Sequence, residues 1–92
     1  MSDVELRLVP PARRSSLAEW EVWSGGKLLG WIAEYRRHGM RATMYRAHGK
    51  HPVTSKTWYL NASTEREERI RAILEFVAAP EQTRGHEVSR RD

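Results

Sequence analysis

Two adjacent glycines, Gly25 and Gly26, stand between the runs Trp20-Glu21-Val22-Trp23-Ser24 and Lys27-Leu28-Leu29-Gly30-Trp31-Ile32-Ala33-Glu34-Tyr35. A two-residue loop of this kind between β-rich runs predicts a tight hairpin, because primed turns need positive φ and glycine adopts it without a steric cost. The turn also predicts a register, with Trp23 opposite Leu28, Val22 opposite Leu29 and Trp20 opposite Trp31. One face then carries Trp20, Val22, Leu29, Trp31, Ala33 and Tyr35 as the core side.

The rest of the chain is arranged around that hairpin. Val4, Leu6 and Leu8 alternate with Glu5 and Arg7, the period-2 pattern of an edge strand, and Pro10-Pro11 stops it. After Tyr35, a four-residue turn Arg36-Arg37-His38-Gly39 predicts a third strand, pairing Tyr35 with Met40 and Trp31 with Met44. In that register Met40, Ala42 and Met44 join the core, Glu34 meets Arg41, and Tyr45 covers the bare backbone of Gly30. Residues 47–56 read as a loop, and Thr57 to Leu60 as a short fourth strand. A helix is expected from Thr64, where Thr64 and Glu67 have capping-box spacing with Asn61 and Ser63 as competing caps. Its apolar stripe is Ile70, Ile73, Leu74 and Val77, its exposed pairs are Glu65–Arg69 and Glu67–Arg71, and Pro80 ends it. The fold class is therefore α+β: a small antiparallel sheet of three to four strands on one C-terminal helix. Residues 1–80 form the single domain and residues 81–92 a flexible charged tail.

Ninety-two residues, 39% of them hydrophobic, suffice for one core. The stability margin of so small a core makes a partner or a second copy a natural support, so a homodimer is one expectation. The absence of cysteine excludes disulfides and thiolate metal sites, no apolar run of membrane-spanning length occurs in these 92 residues, and no signal peptide is expected. The expected location is cytoplasmic, with no membrane partner. The net charge of +4 is concentrated between Lys27 and Trp58, where seven bases face the single acid Glu34.

Signatures of catalysis are missing. His48 and His51 have H-x-x-H spacing, with His38 nearby, but no cysteine or acidic ligand accompanies them and Lys50 between them repels a cation, so no metal is expected. Gly49-Lys50 and Thr54-Ser55 lack the order of a phosphate loop, and no G-x-S-x-G is present. Glu19, Glu21 and Glu34 are spread along the sheet rather than converging on a pocket. The chain is expected to be non-enzymatic and to hold no cofactor.

Two binding surfaces remain. In the predicted register Trp23, Leu28, Ile32 and Tyr45 form an apolar patch on the outer face, the usual mark of a protein interface or of a surface covered by the N-terminal strand. Arg36, Arg37, Arg41, Arg46, Lys50 and Lys56 could contact phosphates, with Tyr45, His38 and His48 stacking on bases. Three glutamates on the outer face oppose docking of a duplex there.

The stretch WEVWSGGKLLGWIAEYRRHGMRATMYRAHGK, followed by TWYL and the helix from Thr64, resembles the three-strand-plus-helix domains of small phage and actinobacterial accessory proteins. That resemblance implies binding to a host protein. The W-x-V…G-K…L-G pattern at Trp20, Val22, Gly26, Lys27, Leu29 and Gly30 is similar, more distantly, to the arm-binding N-terminal domain of tyrosine recombinases, whose sheet enters the DNA major groove. The function expected first is a non-enzymatic protein-binding module, in the accessory role that the phage resemblance implies, through Trp23, Leu28, Ile32 and Tyr45; the alternative is nucleic-acid binding through the basic 36–56 region.

Overall fold

A computed structural model describes residues 3–89. Six strands, β1 (Val4–Val9), β2 (Ala18–Ser24), β3 (Lys27–Tyr35), β4 (Met44–Lys50), β5 (Thr57–Ser63) and β6 (His86–Val88), form one antiparallel meander in chain order. The helix α1 (Arg66–Ala78) lies between β5 and β6 in sequence and packs on β3, β4 and β5. The fold is α+β with a single helix, and its sheet has two strands more than the largest count expected. One extra strand, β6, falls in the segment expected to be an unstructured tail; residues 90–92 of that tail lie outside the described residues. No helix among the described residues is long and apolar enough to cross a membrane.

The glycine turn forms as expected, with Gly25 and Gly26 at φ of 57° and 76°, and Ser24 and Trp23 opposite Lys27 and Leu28. A β-bulge then shifts the register: Val22 faces Gly30, Trp20 faces Ile32, and Glu21 faces Trp31. Leu29 is the residue left over. Because side chains alternate with period two, one extra residue exchanges the faces of everything beyond it. Ile32, expected on the outer face, is therefore fully buried, whereas Trp31, Ala33 and Tyr35 turn to the side away from the helix.

The β3–β4 connection spans residues 36–43, so Tyr35 pairs with Met44 rather than Met40. Met40 and Ala42 are exposed in that loop instead of entering the core. The strand β4 continues through residues 47–50, which were expected to be loop, and sets Ala47 against Ile32 and Gly49 against Gly30. Tyr45 faces Glu34 and packs against the core cluster rather than lying across Gly30.

The cover over the glycines comes from the helix. A Cβ on Gly49 would collide with the Phe76 ring, and one on Gly30 would collide with the His48 carbonyl and lie 3.2 Å from Ile73 Cγ2. Two glycines side by side thus open a hollow in the sheet, and Ile73 and Phe76, both fully buried, close it. Val22, Ile32, Ala47, Leu60 and Ile70 complete the core together with Leu29, which stays buried as expected, and Trp20, Leu74 and Val77 pack at its margin.

The helix starts after Glu65, and the expected Thr64–Glu67 capping box does not form; Ser63 Oγ instead accepts the Glu65 amide proton at 3.2 Å. Glu67 and Glu68 in the first turn suit the positive end of the helix dipole. The expected i,i+4 pairs give way to Arg66–Glu67 and Arg69–Glu68 contacts, and Arg69 Nη1 donates to the Leu60 carbonyl at 2.6 Å. That carbonyl precedes Asn61, which is held at φ of 74° at a second irregularity in the sheet, between Arg46 and His48 on the β4 side.

Gly49→Ala should destabilise the protein by about 1–3 kcal/mol, the usual cost of overpacking, and Phe76→Ala by about 3–5 kcal/mol. Thermal melts of the two variants check this; a Gly49→Ala protein as stable as the parent would show that the helix does not seat on that glycine.

Candidate functional site

The two bulges align one side chain from every strand in a row across the face opposite the helix. Its successive cross-strand partners are Arg7, Glu21, Trp31, His48, Tyr59 and His86. Four of these carry rings, and adjacent strands bring them within reach of one another: His48 and Tyr59 have centroids 5.4 Å apart, and Tyr59 and His86 5.6 Å. A sheet presents such a row only when its registers place the same face outward on each strand.

Basic residues border the ring-bearing end. A cleft of about 550 Å³ is lined by Arg13, Arg36, Arg37 and Arg46 together with Tyr35, His48, Tyr59 and His86, and no carboxylate among the described residues lines it. The Arg46 guanidinium lies over the Tyr35 ring, 4.3 Å from its centroid, a cation–π arrangement that presets its position. Arg36 Nη2 donates to Thr43 Oγ1 at 3.3 Å, which steadies the loop it shares with Arg37. Among the described residues no salt bridge neutralises these four arginines. Such a cluster attracts an anion, and the flanking rings favour a planar group beside it.

The segment between β1 and β2 forms one wall. Glu19, 4% exposed, accepts the Ala12 amide proton at 2.9 Å and ties this segment down across the sheet beside Trp31, Arg46 and His48. The other two glutamates expected on this face act differently. Glu21 accepts a hydrogen bond from Trp23 Nε1 at 2.9 Å, and Glu34 alternates onto the helix side, opposite Tyr45. The expected line of three carboxylates is therefore absent from the cleft.

The expected apolar patch is divided. Trp23 and Leu28 are cross-strand partners and line a separate groove of about 540 Å³ with Leu29, Lys27, Lys50 and His51. Ile32 has no exposed surface and Tyr45 packs toward the core, so neither extends that groove. Of the expected phosphate contacts, Arg36, Arg37 and Arg46 meet in the cleft, while Arg41 is exposed on the 36–43 loop. Lys50 lies in the Trp23 groove, and Lys56 pairs with Glu87 at 3.5 Å. The three histidines separate: His38 is on the exposed loop, His48 faces the cleft, and His51 packs near Trp58 and Phe76 with its Nδ1 accepting the Val53 and Thr54 amide protons.

Arg13, Tyr59 and His86 are cleft residues that the sequence pattern does not single out. The alternation Arg46, His48, Lys50 against Tyr45, Ala47, Gly49 is a period-2 signal for the extension of β4. His86 belongs to a strand of three residues, too short for any periodicity. No protein-family model matches the chain, and no curated protein or solved structure matches it.

Glu19→Ala should release the wall of the cleft. Hydrogen exchange at the Ala12 amide should accelerate toward that of an open loop while amides of α1 keep their protection; unchanged Ala12 exchange would contradict the anchoring role.

Proposed function

We propose that the chain is a non-enzymatic nucleic-acid-binding module that receives a single strand on the sheet face opposite the helix. The observation that carries this reading is the cleft itself: Arg13, Arg36, Arg37 and Arg46 beside Tyr35 and Tyr59, with no acid of the described residues in its lining. Arginines engage successive phosphates, and unstacked bases lie against tyrosine and histidine rings, which accept any base because every base has a flat face. A duplex keeps the flat faces of its bases stacked inside, out of reach of these rings, so single strands are the favoured class. The buried Glu19 and the bonded Glu21 border the Trp31 end of the row and direct the strand toward the β4–β6 end.

Protein binding is the second reading, and the groove where Trp23 and Leu28 meet Lys27 and Lys50 supports it. An apolar floor with cationic margins suits an acidic segment with an apolar side chain. Ile32 and Tyr45 drop out of this version of the interface, which leaves it a smaller anchor than expected.

Fluorescence anisotropy with labelled single-stranded RNA, single-stranded DNA and duplex tests the first reading. Single strands should bind more tightly than duplex, with log K falling against log salt at a slope of about −2 for three phosphate contacts. The Arg36→Ala/Arg37→Ala double variant should flatten that slope, and Tyr59→Ala should weaken binding about fivefold or more. Absence of binding at low salt would remove this reading and leave the Trp23 groove as the surface to pursue.

A further inference from the structure

The sheet is open, and its two edges differ. The β6 edge is three residues long, whereas the β1 edge runs for six, Val-Glu-Leu-Arg-Leu-Val, with β2 as its only strand neighbour among the described residues. Short edges resist pairing, and long ones invite it because every second backbone N–H and C=O points outward unpaired. Along β1 the side chains alternate: Val4 and Leu6 pack toward the core, Leu8 follows on their face 71% exposed, and Glu5 and Arg7 stand on the other face.

We propose that this edge pairs with the same edge of a second copy, antiparallel about Leu6, to give a two-fold dimer with one continuous sheet. The register follows from elimination. Two copies related by a two-fold axis through the sheet must place residues of the same face opposite each other, so the axis passes through a residue. Centred on Val4, Leu8 or Val9 it would pair at most three residues of each strand; centred on Glu5 it would oppose Glu5 to Glu5, and centred on Arg7 it would oppose Arg7 to Arg7, each a like-charge pair. Centred on Leu6 it sets Glu5 against Arg7 twice, Leu6 against Leu6, and Val4 against Leu8 twice.

Every pair is then favourable, and the exposed Leu8 gains an apolar partner. Charges on an edge strand ordinarily prevent pairing; here they are opposite in sign and two residues apart, where they already form an ion pair within the strand. The same spacing makes the edge complementary to itself and to few others. Both helices fall on one side of the extended sheet and both clefts on the other.

Charge variants of the full-length chain test this without nucleic acid. The parent should be a dimer by light scattering and native mass spectrometry at high micromolar concentration. Glu5→Arg alone and Arg7→Glu alone should each fold, by circular dichroism, but raise the dimer dissociation constant about tenfold or more, since two opposite-charge pairs become two like-charge pairs. Mixing the two single variants should give a heterodimer, because one copy then carries two arginines along the edge and the other two glutamates, and each arginine meets a glutamate across it. A monomeric parent would overturn the proposal. So would single variants that dimerise like the parent, or a mixture that forms no heterodimer.

Discussion

The contact of the Phe76 ring with the bare backbone of Gly49 determines how the remainder of the molecule is arranged. Gly49 lies opposite Gly30, and the two missing side chains leave a hollow into which Ile73 and Phe76 pack. Burying a phenylalanine contributes about 2–3 kcal/mol, a sizeable part of the net stability of a small domain. The same contact decides which face of the sheet belongs to the helix. Val22, Ile32, Ala47 and Leu60 follow onto that face because their registers tie them to the two glycines.

What the helix does not cover follows from the same choice. The sheet's other side keeps the cross-strand row that includes Trp31, His48, Tyr59 and His86, and the segment tied to Glu19 closes one margin of it. The arginines come from three places far apart in sequence: Arg13 before β2, Arg36 and Arg37 after β3, and Arg46 within β4. Only the meander brings them to one cleft. A core held by apolar packing on one face leaves the other free for charge and rings, which would be too costly to bury.

Much of this is legible in the chain. The glycine turn, the edge strand ending at Pro10, the helix ending at Pro80 and the stripe of Ile70, Ile73, Leu74 and Val77 all carry local signals that tertiary contacts reinforce. Which face of β3 is buried is not legible, because the bulge at Leu29 is one residue long and leaves no mark in composition. It carries Trp31 outward and Ile32 inward, and with Tyr45 also packed toward the core the expected protein-binding patch loses two of its four residues. The place of Met44 depends on the length of the 36–43 loop, for which the charged run gives no measure. Phe76, three residues beyond Ile73, sits at the margin of the stripe centred on Ile70 and Val77, and the three residues of β6 have no period. The cleft needs all of these at once.

The proposed binding face is the one opposite the helix, built from ring-bearing and arginine side chains. Titration of isotopically labelled protein with oligothymidylate, followed by NMR of backbone amides and aromatic side chains, tests it most directly. Binding on this face should shift Tyr35, Arg46, Tyr59 and His86, while Val22, Ile32 and Phe76 stay in place. Shifts centred on α1 or on the Trp23 groove, or none at low salt, would contradict it.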